Sequence, residues 1–121
     1  MYTEMQAKTN THLIEIFKTE FGSVYQCDRS NHFILEFAGH FTAFKPTNFI
    51  DFTKRVFAID LDDMASNTAR HADIAILMPL YTETCFLLTV SDTIRLQRIL
   101  GGAKTILHLH TLLRTSKLQF A

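Results

Sequence analysis

The 121-residue chain has no tryptophan, only four glycines, two prolines and two cysteines, and no excess of charge, with 12 Lys+Arg against 12 Asp+Glu. Each scarcity excludes something. Few Gly and Pro leave little room for long irregular loops or low-complexity linkers. The cysteines, Cys27 and Cys85, lie far apart, and the first twelve residues are polar, so neither a disulfide framework nor a secretory h-region is indicated and a reduced, cytoplasmic setting is expected. Balanced charge argues against an acidic tail and against a nucleic-acid binder that works by neutralising phosphates. The longest apolar run, Ile74 to Tyr81, is interrupted by Pro79 and falls far short of the ~18 residues of a membrane span, so a soluble chain with no membrane partner is expected.

What is present is apolar and aromatic: 47% of residues are hydrophobic and eleven are Phe. A chain of this length buries roughly two thirds of the surface its unfolded form exposes, enough for one core without staples. One domain over residues 13–121, behind a flexible N-terminal arm of residues 1–12, is the expected organisation.

The periodicities give an α+β chain. Leu13 to Lys18 fits either a helical face (Leu13, Ile16, Phe17, Phe21) or a strand running into Gly22, and its β-branched Ile14 and Ile16 tip the reading to strand. Val24 to Cys27 and His32 to Phe37 form a hairpin around Asp28-Arg29-Ser30-Asn31, and Ala38-Gly39 offers a two-residue turn into Phe41 to Lys45. Pro46 stops the ladder, with Thr47 and Asn48 as N-cap candidates for a helix reaching Ile59 or Leu61, followed by a loop to His71. Ile74 to Met78 and Cys85 to Val90 read as two more strands around Tyr81-Thr82-Glu83-Thr84, before a last helix capped by Ser91 and Asp92 and spanning Thr93 to Arg114. The fold class is therefore α+β: an antiparallel meander of four strands, a helix, a hairpin and a C-terminal helix, in two layers.

Helical projection shows more apolar surface than one sheet can cover. In the first helix Phe49, Phe52, Val56 and Ile59 make one stripe, and Ile50, Phe57 and Leu61 a second, together covering roughly 200° of the circumference. That second stripe must meet either the last helix or another subunit. In the last helix Leu96, Ile99, Leu100, Ala103, Ile106, Leu107 and Leu113 form a stripe, with His110 in its middle and so partly buried. Leu109 and Leu112 lie off it, near Gly101 and Gly102. Each interior glycine costs about 1 kcal/mol relative to Ala, so the helix either bends there or gains from close contact with another helix, within the chain or across a dimer.

Motifs for catalysis are scarce. His108 and His110 point about 160° apart on a helix and cannot share an ion, and Cys27 with His32 supplies at most two of the four ligands of a closed zinc site. Asp60, Asp62 and Asp63 open like a calcium loop, but Ala65 and His71 stand where Gly and Glu are required. No GxGxxG, GxxxxGK[ST], GxSxG or HExxH occurs. Both cysteines sit among apolar strand residues and read as inert core thiols, and the histidines flanking Phe33 to Phe37 fall at opposite ends of their hairpin. Exposed Phe on a sheet can stack bases, yet Lys54-Arg55 is the one adjacent basic pair, so no nucleic-acid partner is expected. No metal and no cofactor is implied.

The stretch Cys27-Asp28-Arg29-Ser30-Asn31-His32-Phe33-Ile34-Leu35-Glu36-Phe37-Ala38-Gly39, followed by a Phe-rich helix, resembles an uncharacterised family of small bacterial proteins, a domain of unknown function, across residues 13–60. In that pattern a cysteine pair precedes a hydrophobic-x-Phe-Gly hairpin. Ser30 stands here in place of the second cysteine, and the resemblance implies no activity.

The reading that follows is a domain acting by association, as a homodimer or partner-binding module, through Ile50, Phe57, Leu61, Gly101, Gly102, Leu109 and Leu112. The alternative is a ligand or enzymatic pocket between sheet and helices, lined by Phe and with Tyr25, Cys27 and His110 as its polar contacts.

Overall fold

In the computed structural model the described residues are 12–66, 74–79 and 85–120, with side chains described as far as residue 113. The expected N-terminal arm up to residue 11, the end of the loop to His71 and the Tyr81-Thr84 turn lie outside them, while His12, expected in the arm, is tied to the end of the second strand by its carbonyl accepting from the Asp28 amide at 2.8 Å. The described chain is α+β, as expected. Strands β1 (Leu13–Thr19), β2 (Gly22–Cys27), β3 (Phe33–Phe37) and β4 (His40–Phe44) form one antiparallel meander in sequence order. Helices α1 (Pro46–Phe57) and α2 (Leu61–Ser66) follow, then a separate hairpin of β5 (Ala75–Leu77) and β6 (Phe86–Leu88), and finally α3 (Val90–Phe120).

Phe33, Leu35 and Phe37 alternate toward the helices, and the register sets Val24 opposite Leu35 and Phe44 opposite Phe33 on the same face. The β3–β4 turn has positive φ at both Ala38 (53°) and Gly39 (79°), the primed geometry whose twist matches the strands. It fixes Phe37 opposite His40, the register anticipated from Ala38-Gly39. In β1 the pairing slips between Glu15 and Phe17, leaving Ile16 as the extra residue of a bulge. Consecutive Ile16 and Phe17 thereby both serve the helix side: Ile16 is buried in the core, and Phe17 packs against it.

The helix boundaries differ from expectation in instructive ways. Lys45, not Thr47 or Asn48, is the N-cap of α1; it makes no side-chain cap bond, and Pro46 occupies the first turn, where its missing N–H is not needed. Asp60 begins a separate helix rather than a loop, its carboxylate accepting from the Asp63 amide at 2.9 Å. Thr89, not Ser91, caps α3: its hydroxyl accepts from the Asp92 amide at 3.1 Å, and the Asp92 carboxylate accepts from the Thr89 amide at 3.3 Å. This reciprocal pair is a capping box.

The core is a run of phenylalanine rings between sheet, α1 and hairpin. Phe33 stacks on Phe49 (4.7 Å between centroids), Phe49 meets Phe44 edge-on (5.8 Å), Phe44 stacks on Phe52 (5.1 Å), and Phe52 contacts Phe86 of β6 (5.0 Å). Leu96, Ile99, Leu100 and Ala103 of α3 complete it beside β1 and β2. Polar ties hold the layers in register: Gln97 donates to the Val56 carbonyl at the end of α1 (3.2 Å), Arg55 donates to the Met78 carbonyl (2.8 Å), and Arg95 lies 4.0 Å over the Phe21 ring.

Because Phe52 touches both Phe44 and Phe86 and is fully buried, Phe52→Ala is expected to cost about 3–5 kcal/mol in urea unfolding, whereas Phe57→Ala, half exposed on the same helix, is expected to cost less than about 1.5 kcal/mol. Equal losses from the two substitutions would contradict this division of α1.

Candidate functional site

The apolar residues of α1 divide as the helical projection suggested, but not all members of the second stripe share one fate. Phe49, Phe52 and Val56 are buried, whereas Ile50 and Phe57 remain 54% and 49% exposed. Leu61, the first residue of α2, is half-buried and no longer belongs to the α1 stripe, because α1 ends at Phe57 and Ala58 caps it.

Gly101 and Gly102 do not break α3, which runs unbroken through both. Their partners lie within the chain. A Cβ on Gly102 would collide with the Phe17 ring of β1, and one on Gly101 would come 3.3 Å from Cζ of Phe57. The glycines are thus the flat places on α3 that admit two aromatic rings from its own domain, and they leave the list of interface candidates for that reason.

Beyond Leu107 the environment of α3 changes. Ile106 and Leu107 are half-buried, but every residue from His108 to Leu113 is exposed. Six successive residues at ~100° each pass right round the helix, so no side of this stretch is buried. Leu109, Leu112 and Leu113 are nevertheless 47%, 50% and 58% exposed and fall within about 100° of one another, an apolar stripe with nothing from the described chain on it. His110 lies here too. It is exposed, not buried in a stripe, and Leu113 is likewise outside the core, because the surface supporting α3 ends near Leu107.

A second exposed apolar strip lies on the β5–β6 hairpin. Ala75 opposite Leu88 and Leu77 opposite Phe86 face the core, which turns the opposed pair Ile76 and Leu87 outward at 65% and 63% exposure, with Ile74 and Met78 flanking them. The alternation of Ile74, Ile76 and Met78 with Ala75 and Leu77 was visible in the sequence. What concealed the strip is that both faces are apolar, so period two alone does not say which one is covered.

Between α1 and α3 runs a groove of about 330 Å³. Phe33 and Phe49 form its floor, Ile50, Thr53 and Lys54 line the α1 side, and Lys104, Leu107, His108 and Thr111 line the α3 side. Thr53 presents little polarity to it, since its hydroxyl donates to the Phe49 carbonyl at 2.8 Å.

The polar groups proposed for a pocket between sheet and helices do not meet. Tyr25 and Cys27 alternate with buried Val24 and so lie on the opposite face of β2 from the core, with Tyr25 opposite Ile34, while His110 is on the exposed end of α3. Of the phenylalanines expected to line that pocket, Phe44, Phe52 and Phe86 close on one another in the interior, whereas Phe33 and Phe49 reach the groove between the helices. Cys27 is not the core thiol expected from its neighbours. It is half-buried at the tight turn closed by the His32 carbonyl accepting from its amide at 2.9 Å, and hydrogen bonding from the Ser30 hydroxyl, and from the Ser30 and Arg29 backbone, holds its thiol below the ordinary cysteine value. Cys85 is exposed. Among the described residues no three His, Cys, Asp or Glu side chains gather as a metal site would require.

Comparison with family models, with curated proteins and with solved structures finds no match to the chain.

A thiol with a lowered pKa forms thiolate at lower pH, so Cys27 should gain reactivity toward iodoacetamide earlier in a rising pH series than an unassisted thiol does. Ser30→Ala removes the largest cause and is expected to move the midpoint of the Cys27 alkylation profile to higher pH, read by peptide mass spectrometry with Cys85 as internal reference. An unmoved midpoint would contradict the assignment.

Proposed function

We propose that the protein works by association, pairing with a second copy of itself through the distal part of α3. The observation that carries this is the leucine stripe Leu109, Leu112 and Leu113 on a helical stretch exposed on every side. An isolated helical stretch of this length is marginal in water, and packing of an apolar face is what ordinarily supports it. A leucine stripe is self-complementary, so the same patch serves both partners about a two-fold axis, and a chain of zero formal net charge offers little long-range repulsion to its own copies.

Magnitudes set the strength of the pair. Six half-exposed leucines across the two-fold contribute roughly 6 kcal/mol, comparable with the lower part of the ~4–15 kcal/mol that association costs in lost freedom. The surplus is small, so the dimer is weak and concentration-dependent rather than permanent, and it is sought from hundreds of micromolar into the millimolar range. Ile50 and Phe57, on the neighbouring helix, and the hairpin strip around Ile76 are separate apolar surfaces that the same experiment can interrogate.

Sedimentation equilibrium across that range is expected to show the average mass rising from one chain toward two. Leu109→Glu with Leu112→Glu, at positions that touch no core residue, is expected to hold the protein at one chain with an unchanged circular dichroism spectrum. A wild-type mass that stays at one chain throughout would overturn the reading, as would dimerisation lost with Ile76→Glu and Leu87→Glu but kept in the leucine variant.

A further inference from the structure

The groove between α1 and α3 combines two properties that neither the core nor the leucine stripe has. Its floor is aromatic, from the stacked pair Phe33 and Phe49, and its walls add Ile50 and Leu107. Its sides also carry Lys54 and Lys104, one from each helix, and among the described residues no acidic side chain lines it. Both lysines are exposed, and among the described residues neither has a carboxylate within ion-pair distance, whereas Arg55, next to Lys54, is paired with Asp51 at 4.0 Å. In a chain whose charges cancel overall, this places two lysines with no carboxylate partner among the described residues on the two sides of an apolar trough.

We propose that the groove binds a single-chain amphipathic carboxylate, with the hydrocarbon on the Phe33–Phe49 floor and the carboxylate between Lys54 and Lys104. Size favours a chain over a protein segment. At the ~30 Å³ that a water-sized group occupies, 330 Å³ holds about eleven such groups, which is one alkyl chain of about ten carbons with its head. One turn of α-helix, ~10 Å across and ~5.4 Å long, already displaces about 400 Å³, and a two-chain lipid is larger still. Charge favours an anion, and a carboxylate is the smallest anionic head that an alkyl chain filling this volume can carry between the two lysines. The site lies on a different face of α3 from Leu109, Leu112 and Leu113, so it stands independently of dimerisation.

The test is a titration of the full chain, labelled with ¹⁵N, by hexanoate, octanoate and decanoate, with decylamine and the neutral decyl glucoside as controls. Decanoate is expected to shift the amides of Ile50, Lys54, Lys104 and His108, and affinity is expected to rise about two- to fourfold per added methylene. Decylamine should bind at least tenfold more weakly than decanoate. Lys54→Glu with Lys104→Glu should weaken decanoate at least tenfold and leave decyl glucoside unchanged, a readout that a general loss of structure would not give. Absence of chain-length dependence, decylamine binding as tightly as decanoate, or shifts centred outside the groove would each overturn the proposal. So would groove amides that ignore decanoate but move with protein concentration, which would make a second copy the occupant.

Discussion

Five phenylalanine rings, Phe33, Phe49, Phe44, Phe52 and Phe86, form one continuous series of contacts from the sheet through α1 to the hairpin, and the arrangement of the rest depends on it. Each link joins elements that have no backbone hydrogen bonds in common: β3 to α1, α1 to β4, and α1 to β6. Aromatic contacts of this kind add roughly 0.5–1.5 kcal/mol each beyond their buried area, and they are directional, so they fix the angle of α1 on the sheet as well as its distance. The hairpin, two short strands that would be marginal alone, is held by Phe86 in this series and by the Arg55 bond to Met78. The same series consumes the space in which a buried pocket between sheet and helices would have to lie.

Burying Phe49 and Phe52 on one side of α1 leaves a second apolar side open. Ile50 and Phe57 remain half exposed, and the trough beside them is floored by the outer end of the aromatic series, Phe33 and Phe49. The groove and the core are in this sense one construction. The glycines of α3 belong to it too, because Gly102 allows Phe17 of β1, and Gly101 allows Phe57 of α1, to reach the helix closely enough for Leu96 to Ala103 to seal the core.

Much of this was legible in the sequence, and the failures share a cause. Strand alternation and the Ala38-Gly39 turn gave the meander and its register because both are local. The cap of α3 was misread at one residue: Asp92 takes part as expected, but its partner is Thr89, three residues before it in a capping-box spacing, and not Ser91. The misplaced residues are those whose environment depends on how far a neighbour extends. His110 and Leu113 fit the α3 stripe by angle, but a helix of 31 residues runs about 46 Å and outlasts a sheet whose four strands stand ~4.8 Å apart. Period says which face is apolar; it does not say where the support beneath that face stops. Gly101 and Gly102 announced a close approach without naming Phe57 and Phe17 as what approaches. Cys27 looked internal among apolar neighbours, yet Asp28 to Asn31 turn the chain at once and leave its thiol beside Ser30.

Dimerisation and local order meet at the end of α3 beyond Leu107. If a second copy supplies its packing, the helix there is secured only in the pair, while the aromatic core is complete in each chain. Hydrogen–deuterium exchange measured at several protein concentrations separates the two regions in one experiment. Amides of residues 109–113 are expected to gain protection as concentration rises, and those of β2 and β3 to show the same high protection throughout. Exchange in residues 109–113 that does not respond to concentration would contradict the claim that a second copy of the chain is what covers the leucine stripe.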